Sequence, residues 1–203
     1  MNSRLDSLAD QYLLKTVELD INDLIIDIGA NIGEFSKYLL EKGFGDIVCI
    51  EPEQMEAHAC DANVFNGQKE TIRKCLWNYS GILRFYLHNN TGDSSATPND
   101  LKWPSVEVRC ITLDEIIKER GIERIGLIKL EAEGSEPEVL GGALKSIALT
   151  KWILAALGHE REPEQESTFL EVNRILLDNH FVLVAKGRSG LRESYKYRNL
   201  GVN

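Results

Sequence analysis

The chain has 203 residues, 43% hydrophobic and 27% charged, which suits one globular domain with a large core. A net charge of −9 disfavours a nucleic-acid partner, which needs a basic face to neutralise phosphates. The four cysteines, Cys49, Cys60, Cys75 and Cys110, show no C-x-x-C spacing and no histidine pairing. They read as small core residues in a reducing cytosol, not as a metal site or disulfide framework.

Leu5, Leu8, Tyr12 and Leu13 recur at helical spacing, so residues 1–22 are expected to be an amphipathic helix and lead-in lying on a domain of residues 23–203. Asp6 and Asp10 exclude a signal peptide there, and no later run is long enough to span a bilayer, so the expected location is cytoplasmic. Ile25, Ile26 and Ile28 form a β-branched run typical of a strand buried on both faces. Gly29 and Gly33 bracket a turn, and Phe35, Tyr38 and Leu39 continue at helical spacing, with Asn31 and Glu34 as N-cap and capping-box partner. Gly43 and Gly45 end this helix, residues 47–50 give a second strand, and residues 52–67 give a helix closed by Asn66 and Gly67.

A third strand is expected over 71–77, with an extra strand over 82–87 paired onto it. Residues 89–105 are polar, with two prolines; a connection of this length reads either as a lid that orders on binding or as a plain mobile loop. Residues 106–111 alternate as a strand, and Thr112 with Glu115 makes a second capping box. A buried strand covers 125–130, and Ser135 with Glu138 caps a helix whose apolar face is Val139, Leu140, Ala143, Leu144 and Ile147. A strand over 152–157, a helix over 166–179, the strand FVLVAK and a final edge strand in SYKYRNLGV complete the chain. This alternation predicts an α/β fold, a mainly parallel sheet with helices on both faces.

In such a sheet ligands bind beyond the carboxyl ends of the strands. The polar residues expected there are Asp27, Glu51, Glu131, Glu133, His159 and Glu160. The loop Gly29-Ala30-Asn31-Ile32-Gly33 is neither G-x-G-x-x-G nor a P-loop, which argues against an NAD-type dehydrogenase. Asp27 before the loop would repel a pyrophosphate and suit an ammonium group, while Glu51 suits a ribose diol. Ammonium, ribose and no phosphate together describe S-adenosylmethionine.

The ordered motifs IDIGANIGEFS, IEPE, ITLDEII and LIKLEAEGSEPEVLGGA resemble those of the FkbM family of methyltransferases, over residues 23–184. The resemblance implies a Rossmann-like class I methyltransferase fold, with a seven-stranded sheet whose last strand is antiparallel. It also implies S-adenosylmethionine as donor and a hydroxyl on a sugar, glycan or natural product as acceptor. By position, Asp27, Gly29, Ala30, Asn31 and Gly33 would hold the methionine portion, Glu51 beside Pro52 the ribose, and Leu76 and Trp77 the adenine. Lys129, Glu131 and Glu133 would lie beside the transferred methyl. The family's fourth motif often reads I-K-I-D-x-E-G, whereas Glu131 stands here at the aspartate position. Glu131 and Glu133 therefore both remain candidates for the general base, with His159 as rival. Methylation of nitrogen, and a non-catalytic nucleoside-binding module, are the alternative readings. Lys186, Arg188, Arg192, Lys196 and Arg198 read as the exposed face of an edge strand, or as the receiver of an anionic acceptor.

Overall fold

Every position of Ile25–Ile28 and of Ile47–Ile50 is buried, so both segments are unbroken apolar runs rather than alternations. The computed structural model describes residues 3–66, 68–88, 93–98, 100–161, 163–189 and 192–202. In chain order the first half comprises α1 (Ser3–Gln11), β1 (Ile25–Ile28), α2 (Glu34–Glu41), β2 (Ile47–Ile50), α3 (Gln54–Cys60), β3 (Cys75–Leu76), β4 (Gly81–Tyr86) and β5 (Ser105–Ile111). The second half comprises α4 (Leu113–Glu119), β6 (Ile125–Leu130), α5 (Glu136–Gly141), α6 (Leu144–Ala148), β7 (Thr150–Ala156), α7 (Phe169–Asp178), β8 (Phe181–Ser189) and β9 (Arg192–Asn199). Gly67, residues 89–92 and 99 of the long polar loop, and the Arg192 side chain lie outside the described residues.

The main sheet has six strands in the order β2-β1-β6-β7-β9-β8. β1, β2, β6 and β7 run parallel, and β9 runs antiparallel to both its neighbours. The order reverses between β1 and β6, which opens a crevice at their carboxyl ends. The expected third strand is divided between two sheets, so the main sheet has six strands and not seven. Ile72 bridges Ile50 in parallel, and then Lys74 N turns back on Ile72 O at 3.0 Å. Past that turn, Cys75–Leu76 pairs with β5 in a second sheet ordered β3-β5-β4. β4 therefore pairs with β5 instead of the third strand, because six antiparallel pairs with β5 outweigh what a two-residue β3 can offer.

Strand side chains alternate between two cores. Ile25, Leu127 and Leu154 face α1 and α2, where Leu5, Tyr12, Phe35 and Leu39 are buried. Ile26, Ile128 and Ile153 face Leu140, Ile147, Val172 and Leu176 on the other side. The final segment is internal, not an edge, since β9 lies between β7 and β8. Its lysine is accordingly buried: Lys196 Nζ donates to Thr16 Oγ1 at 2.7 Å. Arg198 lies over the Trp152 ring, while Lys186, paired with Glu193 at 2.9 Å, and Arg188 are exposed on β8, the edge strand of the sheet.

Of the three expected caps one forms in full, one keeps its position without the side-chain bond, and one is replaced. Thr112 does accept from Glu115 N at 3.1 Å. However, α2 is capped by Gly33 at φ +84° rather than by Asn31, whose Oδ1 accepts from Ile32 N at 2.7 Å. Ser135 caps α5 without a side-chain bond, and Glu138 pairs with Arg161 instead.

Candidate active site

The turn after β1 is held to β2 by Gly29 N and Ala30 N, both 3.0 Å from Ile50 O. Gly29 has φ +69°, and a Cβ there would lie 1.9 Å from Glu131 O on the neighbouring strand end. Only glycine lets the turn approach β6 this closely. Gly29→Ala should displace the turn and lower the melting temperature in thermal denaturation, while circular dichroism keeps its α/β signature.

Glu51 ends β2 and organises the other side of the crevice. Its Oε2 accepts from Asn31 N and its Oε1 from Glu53 N, each at 2.9 Å. Burial pushes its carboxyl up to about 7, against the opposing pull of those two N–H groups. With Gly29, Asn31, Pro52, Leu76, Glu131 and Glu133 it lines a cleft of about 860 Å³ whose apolar side is Ile50, Leu76 and Val139. An apolar slot with a carboxylate at its rim fits a nucleoside, with the base in the slot and a hydroxyl pair on Glu51.

Asp27 takes a different part from the one expected. It is 0% exposed and lines none of the cavities. Its Oδ2 accepts from Ser36 Oγ at 2.7 Å, and its Oδ1 lies 3.3 Å from Lys129 Nζ. The buried lysine thus receives the charge that was expected to meet a ligand ammonium. Lys129 also donates to Gly29 O at 2.6 Å and Ile28 O at 3.2 Å, and lies 3.2 Å from Glu131. Burial alone would lower its pKa, but Asp27 and Glu131 overcome that and hold it above the ordinary lysine range. It therefore stays charged and ties the turn to two strands.

Glu131 keeps one edge on the cleft while Tyr12 Oη of the N-terminal segment donates to its Oε2. Tyr12, Ala30, Lys129 and Glu131 line a further opening behind the turn. Glu133 stands in left-handed conformation, φ +48°, and its carbonyl accepts from Ser95 Oγ at 2.5 Å. It lines both the cleft and a second cavity of about 1450 Å³, which also holds His159, Glu160, Arg188 and Trp103. His159 is exposed, 3.2 Å from Gln165 O through Nδ1, and lines only that second cavity.

Gly33 and Trp77 line neither. A Cβ on Gly33 would meet Val64 at 2.6 Å and Cys60 at 2.9 Å, so this glycine serves the packing of α2. Leu76 turns into the cleft, and its neighbour Trp77 packs with the second sheet, as strand alternation requires. Tyr12 and Glu136, neither of them expected from the sequence to have a role here, bond to Glu131 and to the turn around Glu133. Tyr12 carried only a helix-periodicity signal, and Glu136 lay unremarked inside the fourth motif.

The family model for the methyltransferase FkbM domain matches residues 27–183. The chain belongs to the FkbM methyltransferase family. Like other FkbM-domain enzymes it is a methyltransferase, and its fold matches that of the Synechocystis magnesium protoporphyrin IX methyltransferase solved with bound SAM, with TM-score 0.54 at 11% identity over 97% of this chain and 78% of that one. It is 24% identical to the 2-O-methyltransferase NoeI of Sinorhizobium fredii over 198 residues, covering 87% of this chain and 79% of that one. It is 26% identical to the 31-O-demethyl-FK506 methyltransferase FkbM of Streptomyces tacrolimicus, covering 64% and 63%. The FkbM methyltransferase structure from Methylobacillus flagellatus superposes with TM-score 0.60 at 17% identity, over 91% of this chain and 45% of that one. The chain thus spans under half the length of that structural neighbour. No helix among the described residues is long and apolar enough to cross a membrane.

Proposed function

We propose that this FkbM-family chain methylates a hydroxyl of a sugar or sugar-bearing natural product, with Glu133 as general base. The observation that carries the reading is that Glu133 lines both the nucleoside-shaped cleft and the larger cavity beside it. A group that removes the acceptor proton has to stand at such a junction. The bound donor supplies a methyl group activated by a sulfonium leaving group. Glu51 then accepts the ribose hydroxyls, Ile50, Leu76 and Val139 enclose the base, and Glu131 faces the ammonium. Residues 1–22 work with the domain of residues 23–203, since Tyr12 steadies Glu131. The names of NoeI, "2-O-methyltransferase", and of AglP from Haloferax volcanii, "hexuronic acid methyltransferase" (20% identical over 190 residues), support a sugar acceptor.

The second cavity supports a sugar acceptor, since Asp93, Glu133, Glu160 and Arg188 line it with polar groups suited to hydroxyls. His88 and Trp103, packed edge-to-face at 4.5 Å, offer an apolar face for the C–H side of a pyranose. The four cysteines are free and buried, which supports a reducing, cytoplasmic setting.

The deciding measurement is calorimetric titration with S-adenosylmethionine. Glu51→Ala should weaken binding by about 10–100-fold, the loss of one or two charge-assisted hydrogen bonds. In the wild type, affinity should fall as pH drops below about 7, where Glu51 takes up its proton, and Glu51→Gln should flatten that profile. Donor binding that is indifferent to both substitutions would remove Glu51 from the site.

A further inference from the structure

Glu136 is a carboxylate that the chemistry above leaves without a task, although it is 1% exposed and sits beside the reacting groups. Its Oε1 accepts from Ala132 N at 2.8 Å and from Gly134 N at 3.2 Å. Its Oε2 accepts from Thr168 Oγ1 of the segment leading into α7 at 2.9 Å. The two amides are the immediate neighbours of Glu133, so one oxygen grips the backbone on both sides of the proposed base.

That grip acts on a strained turn. Glu133 at φ +48° is followed by Gly134 at φ +93°, two successive left-handed residues, the first of them a side chain that rarely adopts this region. From outside, Ser95 Oγ holds the Glu133 carbonyl at 2.5 Å and Arg161 Nη1 holds the Gly134 carbonyl at 3.0 Å. Without Glu136, the amides of Ala132 and Gly134 would point into a buried volume with no acceptor.

We propose that Glu136 is a positioning residue, which fixes the left-handed turn at residues 132–134 and so aims Glu133 at the acceptor cavity. This rests on Glu133 being the base. A carboxylate is costly in so dry a position: burial raises its pKa to about 7, the bonds from Ala132 N and Thr168 Oγ1 oppose that, and the nearby Glu160 adds to the rise. Glutamine satisfies the same partners, its oxygen accepting both amides and its amide nitrogen donating to Thr168 Oγ1. Alanine satisfies none of them.

The test compares wild type with Glu136→Gln, Glu136→Ala and the milder Glu136→Asp, by amide hydrogen exchange, calorimetry with S-adenosylmethionine, and methyl-transfer kinetics with a neutral methyl hexopyranoside as acceptor probe. In Glu136→Ala, exchange at Ala132 and Gly134 should quicken by roughly 10–100-fold. Donor affinity should change by less than about threefold, while kcat falls about 100-fold, the expected effect of an ångström-scale displacement of the base. Glu136→Gln should restore both the protection and kcat. Should Glu136→Ala fail to fold, Glu136→Asp, one methylene short of the amides, carries the same expectations in reduced size. Unchanged protection at those two amides, no rescue by glutamine, or donor binding lost in step with kcat would each overturn the proposal. The exchange readout needs no acceptor, so it separates this inference from the base assignment, which fails on Glu133→Gln alone.

Discussion

Glu133→Gln should lower methyl transfer by about 10²–10⁴-fold, the range a positioned base contributes, with S-adenosylmethionine binding retained. A hydroxyl is a weak nucleophile until its proton has somewhere to go, and two acids border both cavities, Asp93 of the long polar loop and Glu133 directly after β6, where the turn at residues 132–134 holds it. Glu131 lies nearer the turn, but Lys129 at 3.2 Å and the Tyr12 hydroxyl already hold it. Its substitution by Gln should therefore act mainly on donor affinity. His159 is exposed and borders the outer cavity only, so His159→Ala should raise KM more than it lowers kcat. Single-turnover kinetics beside equilibrium donor binding separates the three. Full turnover in Glu133→Gln, with loss in His159→Ala, would move the base to the histidine.

Lys129→Ala should be the most destabilising substitution at the site. Asp27 is 0% exposed and Lys129 2%, so removing the lysine strands a carboxylate in the interior with the Ser36 hydroxyl at 2.7 Å and no cation. Breaking a buried pair in this way typically costs about 3–5 kcal/mol, or roughly 6–20 °C in Tm for a domain of this size. The turn at Gly29 also loses its 2.6 Å bond from Nζ, so donor binding should fall with stability. Replacing both partners, Asp27→Asn with Lys129→Met, should recover most of the lost stability, because neither residue then carries an uncompensated buried charge. Thermal denaturation of the singles and the double decides it: additive losses would show that the pair is not coupled.

That pair also marks where reading the sequence stops. Asp27 was legible as a charge beside a glycine turn, and its type and place suited an ammonium ligand. Its actual partner is a lysine about a hundred residues later, reached because β1 and β6 pair with Asp27 opposite Lys129. The same holds for Lys196 among the basic residues near the C-terminus, whereas Lys186 and Arg188 do stand exposed on the edge strand β8. Insertion of β9 between β7 and β8 buried Lys196 and set Arg198 over Trp152. Leu76 and Trp77 were read together, but a strand sends neighbours to opposite faces, and only Leu76 reached the cleft.

What the sequence by itself determined are the properties that depend on near neighbours. Doubly buried strands require β-branched runs, a close strand-to-turn approach requires Gly29, and the order of the motifs fixes the α/β alternation and the family. The tertiary structure alone decided which carboxylates line a cavity and which lie buried against a lysine, why Glu133 rather than Glu131 borders both cavities, and that Tyr12 meets Glu131 and Glu136 meets the turn at residues 132–134. These depend on contacts between segments far apart in the chain, such as Tyr12 with Glu131, separated by 119 positions. Side-chain type records what a residue can bond to; only the packing of strands and helices determines which partner it meets.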